Sequence, residues 1–155
     1  MTITLGADHA GTRLKEEIKK ALISEGHTVR DVSPSDPEGG DDYPDYAFAV
    51  AEEVAKESDA FGILVCDTGI GMAIAANKVP GVSAALVVDA FGARRAREHN
   101  NANILVLGSE IGKPAVAKEL VTTFLSTPFS QAERHVRRIG KIRYYDQYRQ
   151  RPDGA

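Results

Sequence analysis

Apolar positions along the chain fall into short runs separated by longer amphipathic stretches. Residues 3–7 read as a buried strand. Residues 10–25 follow, with Leu14, Ile18 and Leu22 recurring every fourth position, a helical stripe. Residues 28–32 form a second short strand. Residues 33–45, rich in Ser, Pro, Gly and Asp, form a loop. Tyr46, Val50 and Val54 lie on one face of a helix over 45–57. Further strands are expected at 61–65, 82–88 and 103–107, with helices near 70–77, 89–99 and 113–126. A last helical stretch covers about 130–148, with Gly140 a candidate interruption. Strands alternating with helices imply a parallel sheet covered on both faces. Right-handed crossovers then predict one doubly wound α/β/α domain over residues 1–155. Ligands bind such sheets beyond the carboxyl ends of the strands. The positions to inspect therefore follow Ala7, Val65, Val88 and Leu107.

Composition narrows the class. With 155 residues, 43% hydrophobic and 26% charged, the chain is long enough for one well-buried core. A single cysteine rules out an internal disulfide. No apolar run reaches the roughly 20 residues of a membrane span. The first eight residues lack a basic start and reach Asp8 early, so no secretory signal is expected and the cytoplasm is the expected compartment. The net charge of −3 conceals a strong asymmetry. Residues 31–59 carry ten acids against one base, while 134–151 carry seven bases against one acid. Such a basic tail faces something anionic: nucleic acid, a phosphorylated metabolite, or the acidic surface of a second subunit.

Four segments carry candidate chemistry. Asp8-His9-Ala10-Gly11 can be a helix start with Asp8 as N-cap, a polar pair at a strand end, or both. Cys66 opens the run Cys66-Asp67-Thr68-Gly69-Ile70-Gly71-Met72. Its glycines let backbone N–H groups approach an anion. The run is neither a dinucleotide fingerprint nor a P-loop. Cys66 is either a small buried hydrophobe or a poised base. His99 suits a helix C-terminus, and Asn100 follows it. Arg134 and Arg138, four apart, share a helix face that is either a solvated basic surface or a phosphate clamp. The four histidines show no metal-ligand spacing, and no metal is expected. An acidic protein overall is a poor fit to nucleic acid.

Taken in order, five motifs resemble type B ribose-5-phosphate isomerases and the related galactose-6-phosphate isomerase subunits. They are Asp8-His9-Ala10-Gly11, Asp42-Tyr43-Pro44, the Cys66 to Lys78 segment, Glu98-His99-Asn100 with Asn103, and Arg134-His135 with Arg138. The resemblance implies a Rossmann-like three-layer sandwich with a five-stranded parallel sheet and a C-terminal helical extension toward a partner subunit. It implies an aldose–ketose isomerase of a sugar phosphate, nominally ribose 5-phosphate to ribulose 5-phosphate, working without metal or cofactor. It implies a homodimer or homotetramer with active sites shared between subunits, and no membrane or nucleic-acid partner.

The roles it implies are specific. Cys66 is the base that moves a proton between C1 and C2 through a cis-enediolate. Thr68 and the N–H groups of Gly69, Ile70 and Gly71 stabilise the enediolate oxygen. His99, from the neighbouring subunit, helps to open the sugar ring. Asp8 meets ring or hydroxyl oxygens, and Tyr43 lies against the sugar. His9, Arg134 and Arg138 hold the phosphate, and Asn100 binds substrate near the catalytic loop. Some family members carry a glutamate base six residues after the cysteine position; here that position is Met72. Asp67 stands where the family usually has glycine, beside the anion hole, and Glu110 where it often has arginine, with Lys113 close by. These departures leave open tetrose, other pentose and hexose phosphates, and a non-catalytic sugar-phosphate-binding module on the same fold.

Overall fold

A computed structural model describes residues 1–33, 41–110 and 114–152. Five parallel strands, β1 (Thr2–Ala7), β2 (Thr28–Asp31), β3 (Phe61–Cys66), β4 (Ala84–Leu86) and β5 (Ile104–Gly108), form one sheet in the order β2-β1-β3-β5-β4. Six helices alternate with and follow them: α1 (Thr12–Ser24), α2 (Tyr43–Ala55), α3 (Ile70–Ala76), α4 (Ala90–Glu98), α5 (Pro114–Ser126) and α6 (Glu133–Tyr148). This is the three-layer α/β fold expected from the alternation of runs.

Period-two alternation in the strands builds two cores. Ile3, Leu5, Ile63, Val65, Leu105 and Leu107 point to one face, where α1, α4 and α5 cover them. Leu64, Cys66, Ile104 and Val106 point to the other, where α2 and α3 pack. The stripe Leu14, Ile18 and Leu22 is the buried face of α1. α6 stands apart from these layers and buries only His135 and Ile139.

Several boundaries differ from the expected ones, each for a local reason. α1 begins at Thr12 because residues 8–11 form a turn first, with the Gly11 N–H donating to the Asp8 carbonyl at 3.1 Å. The helix N-cap is therefore Gly11 and not Asp8. β4 is three residues long because Asn side chains take over its entry: Asn103 Oδ1 accepts the Ser83 N–H and Asn77 Oδ1 the Ala84 N–H. Gly140 does not interrupt α6, which runs unbroken through it. Among the described residues, no helix is long and apolar enough to cross a membrane.

One polar cluster fastens the strand ends. Lys15 is fully buried, with Nζ 2.9 Å from Asp31 Oδ2 and 3.1 Å from Ser33 Oγ. Ser33 Oγ also accepts the Ala7 N–H at 3.1 Å. Burial pushes the Asp31 carboxyl up, but Lys19, Lys15 and the Ser33 N–H outweigh it and hold it below its ordinary 3.8. Its stabilising contribution is thus present above the unfolded value and lost as pH falls through the lower folded one. Asp31→Ala removes the nearest carboxylate from the buried Lys15 ammonium, leaving it Glu16 Oε1 at 3.1 Å and Ser33 Oγ, and is expected to cost up to about 3 kcal/mol. Denaturant unfolding of the variant at neutral pH checks this.

Candidate active site

Strand order reverses between β1 and β3, so the crevice of the fold opens at their carboxyl ends. Ala7 pairs with Val65, which sets Asp8 and Cys66 side by side at that edge. The Asp8–Gly11 turn lies against β3 so tightly that a Cβ on Gly11 would sit 2.3 Å from the Val65 carbonyl oxygen. Only glycine permits that approach. Asp8 is 6% exposed, and its Oδ1 accepts the Gly11 N–H at 3.0 Å. Burial raises its pKa, against the pull of the Gly11 N–H and His9.

Cys66 is a free, buried thiol at 5% exposure. Its Sγ accepts the Gly69 N–H at 3.2 Å. Gly69 has φ +79°, the left-handed region, and this turns the chain from the loop into α3. Burial pushes the thiol above its ordinary 9.0 and the Asp8 charge adds to this. N–H groups of Gly69, Met72 and Thr68 pull the other way without winning. Thr68 Oγ1 accepts the Ile70 N–H at 3.3 Å. Tyr43 closes the same edge: a Cβ on Gly71 would be 2.5 Å from its ring. Asp67 and Glu110 are both exposed near the loop. The Ser109 N–H just before Glu110 donates to the Cys66 carbonyl at 2.7 Å. Lys113 lies outside the described residues.

A second set of side chains gathers elsewhere. α4 leaves the carboxyl end of β4 and returns toward the amino end of β5. Its nine residues span about 13 Å. His99 caps its far end, so it sits at the sheet edge opposite Cys66. The His99 ring lies on that of His135, with centroids 4.1 Å apart and planes at 37°. Arg95 Nη1 is 2.8 Å from His99 Nε2. His135 is buried, with Nδ1 2.7 Å from Ser130 Oγ, and Nε2 accepting from Arg134 Nε at 3.2 Å. Burial lowers its pKa, and His99, Arg134 and Arg138 lower it further. Arg134 and Arg138 are exposed one turn apart on α6, and exposed Asn100 follows His99.

The fold thus groups Asp8, His9, Tyr43, Cys66, Asp67, Thr68, Gly69, Ile70 and Gly71 at one edge. It groups His99, Asn100, Arg134 and Arg138 at the other, and one chain does not bring the two sets together. Two partners of these residues escaped the sequence reading. Asp41 binds His9; its only signal was its place beside the Asp42-Tyr43-Pro44 motif. Arg95 lies four residues before His99, a spacing that could have flagged it.

The ribose/galactose isomerase family model matches residues 3–142. The chain is 42% identical over 147 residues to a putative sugar phosphate isomerase of Bacillus subtilis, covering 95% of this chain and 98% of the relative. It is 45% identical over 145 residues to a probable ribose-5-phosphate isomerase B of Mycoplasma genitalium, covering 93% and 95%. The crystal structure of ribose-5-phosphate isomerase B from Mycoplasma genitalium with bound ribulose-5-phosphate superposes with a TM-score of 0.91 at 44% identity, covering 95% of this chain and 97% of that one.

Proposed function

The chain belongs to the ribose/galactose isomerase family, and from that premise we propose that it interconverts ribose 5-phosphate and ribulose 5-phosphate with Cys66 as the base. The activity class is aldose–ketose isomerisation of a phosphorylated sugar. The observation that carries the residue assignment is the lone buried thiol at the β1/β3 switch point, with backbone N–H groups directed at it.

In the open-chain aldose, the C2 proton is acidified by the neighbouring carbonyl. The Cys66 thiolate removes it, and the electron pair passes to the carbonyl oxygen as an enediolate. The C2 hydroxyl proton passes to O1 of the enediolate, C2 becomes the carbonyl, and the same sulfur returns the carbon-bound proton to C1 on the same face, leaving the ketose. One base serves both carbons because they are adjacent. The developing oxyanion needs fixed donors in a site closed to water. The Gly71 N–H is available in the first turn of α3, where no helix carbonyl reaches it. Thr68 and the Gly69 and Ile70 N–H groups stand beside it and re-aim as charge moves from sulfur to substrate. Asp8 meets sugar hydroxyls, and Tyr43 forms the wall.

A second copy of the chain completes the site. It brings His99 for ring opening, Asn100 for the sugar, and Arg134 and Arg138 for the phosphate, from the edge that this copy's own Cys66 does not meet. An apolar rim supports such a contact. Ile70, Ile74, Leu86, Val88 and Phe91 are large and exposed, with Ile70 and Ile74 on α3 and the Leu86 side chain against Gly69, and exposed apolar side chains grouped in a patch mark association surfaces. A lone free thiol at the centre fits a reducing compartment, the cytoplasm.

Turnover in heavy water tests the reaction. Deuterium is expected at C2 of ribose 5-phosphate re-formed from ribulose 5-phosphate, read by NMR. A panel of four-, five- and six-carbon aldose phosphates then ranks substrates by kcat/KM. Highest efficiency with a hexose or tetrose phosphate would replace ribose 5-phosphate as the substrate. Absence of exchange with every member would overturn the mechanism.

A further inference from the structure

His9 is anchored twice to one carboxylate. Its backbone N–H donates to Asp41 Oδ1 at 3.2 Å, and its ring Nδ1 meets the same oxygen. The two residues are 32 apart in sequence, so the contact ties the turn after β1 to the entry of α2. Asp41 is 14% exposed at its side chain, whereas His9 is 48% exposed. An ionised carboxylate only accepts hydrogen bonds. The ring nitrogen facing it therefore carries a proton, and the opposite nitrogen, Nε2, is the one left to meet a ligand. Two contacts to one oxygen restrict both the rotamer and the tautomer of the ring.

The charges around His9 are almost all negative. Asp8 precedes it in the turn; Asp41 holds it; Asp45 and the Tyr46 hydroxyl stand on α2 behind Asp41. The hydrogen bond to Asp41 raises the His9 pKa, against the opposing effect of burial, and the Asp8 charge adds to it. Burial pushes the Asp41 carboxyl up, but His9 and the Tyr46 hydroxyl outweigh this and hold it below its ordinary 3.8. The pair thus favours an imidazolium over a neutral ring.

We propose that Asp41 is a positioning residue, which fixes the His9 ring and keeps it cationic so that Nε2–H is presented to the phosphate of the substrate. A phosphate dianion gains most from a charged donor held in one orientation. A neutral His9 with its proton on Nδ1 would offer the phosphate only a lone pair. The position of Asp41 ahead of Tyr43 also places this control beside the wall of the sugar site. The proposal rests on the reading that His9 contacts the phosphate, and the two are separable by experiment.

The test uses the full-length chain as wild type, Asp41→Asn, Asp41→Glu and His9→Gln. NMR follows the His9 ring through a pH titration, with and without inorganic phosphate as the probe. Steady-state kinetics supply kcat and KM for the best aldose phosphate of the panel. In Asp41→Asn the His9 titration is expected to move to lower pH. KM is expected to rise about tenfold, the equivalent of one weakened charge-assisted hydrogen bond, with kcat little changed. The loss should grow as pH rises and the neutral ring takes over in the variant before it does in the wild type. Asp41→Glu should recover part of it. A His9 titration unmoved by Asp41→Asn overturns the pairing. A moved titration with unchanged phosphate affinity overturns the proposed consequence, provided His9→Gln weakens phosphate. If His9→Gln also leaves phosphate affinity unchanged, it is the phosphate reading of His9 that fails, and the proposal fails with it.

Discussion

Cys66→Ala is expected to lower kcat/KM by about 10²–10⁴-fold, the usual contribution of a positioned base. The substitution removes one sulfur from the α2/α3 core and leaves the Asp8 turn and the Gly69 loop in place. Circular dichroism should therefore report an intact fold while deuterium exchange into substrate is lost. The wild-type pH profile provides an independent check. Burial holds the Cys66 thiol above its ordinary 9.0 in the free chain. In the proposed mechanism the active form is the thiolate, so its contribution to kcat/KM should rise with pH and keep rising into the alkaline range. Alkylation by iodoacetamide should accelerate over the same range and slow when ribulose 5-phosphate is present. Cys66→Ala should abolish that rising limb. An alanine variant within tenfold of wild type would mean that another group moves the proton.

His99→Ala should be nearly inactive on the cyclic sugar, yet restorable by mixing with inactive Cys66→Ala. Such recovery is the second large effect, and it follows from the placement of the two residue sets. If each site joins Cys66 of one copy to His99 of another, a mixed dimer contains one site with both residues intact and one with neither. Random exchange of equal amounts makes half the dimers mixed, so about a quarter of wild-type activity should return. Separate sites within each chain would give no recovery. Activity of the mixture is measured after brief denaturation and refolding, against each variant treated alone. The Arg134 and Arg138 pair can be placed the same way, because a double alanine variant should also be rescued by Cys66→Ala. The acidic 31–59 segment and the basic α6 face would give two copies of the proposed dimer a complementary electrostatic approach.

Much of the fold was legible in the sequence because burial imposes a local period. Leu14, Ile18 and Leu22 mark the buried face of α1 at helical spacing, and alternating apolar residues mark both faces of β3 and β5. Element ends were less legible. The side chains of Asn77 and Asn103 shorten β4 by bonding to its entry from 7 and 20 positions away, contacts that hydrophobic periodicity does not record. The Asp8 turn precedes α1 because Gly11 packs on β3, a contact over 54 positions. Nothing local to the Asp8–Gly11 segment records that neighbour.

The candidate site divides the same way. Residue chemistry and spacing marked the candidate groups: the lone thiol of Cys66, the glycines that follow it, the His99-Asn100 pair and the two arginines of α6. These are properties of short segments, and a segment carries its own donors, acceptors and backbone freedom wherever it lies. Only the tertiary structure decided which of them meet. Strand order puts Asp8 beside Cys66, the path of α4 carries His99 to the opposite edge, and the Asp41 carboxylate reaches His9 across 32 residues. Those distances are set by strand pairing and helix packing between parts of the chain far apart in sequence, and no local period encodes them.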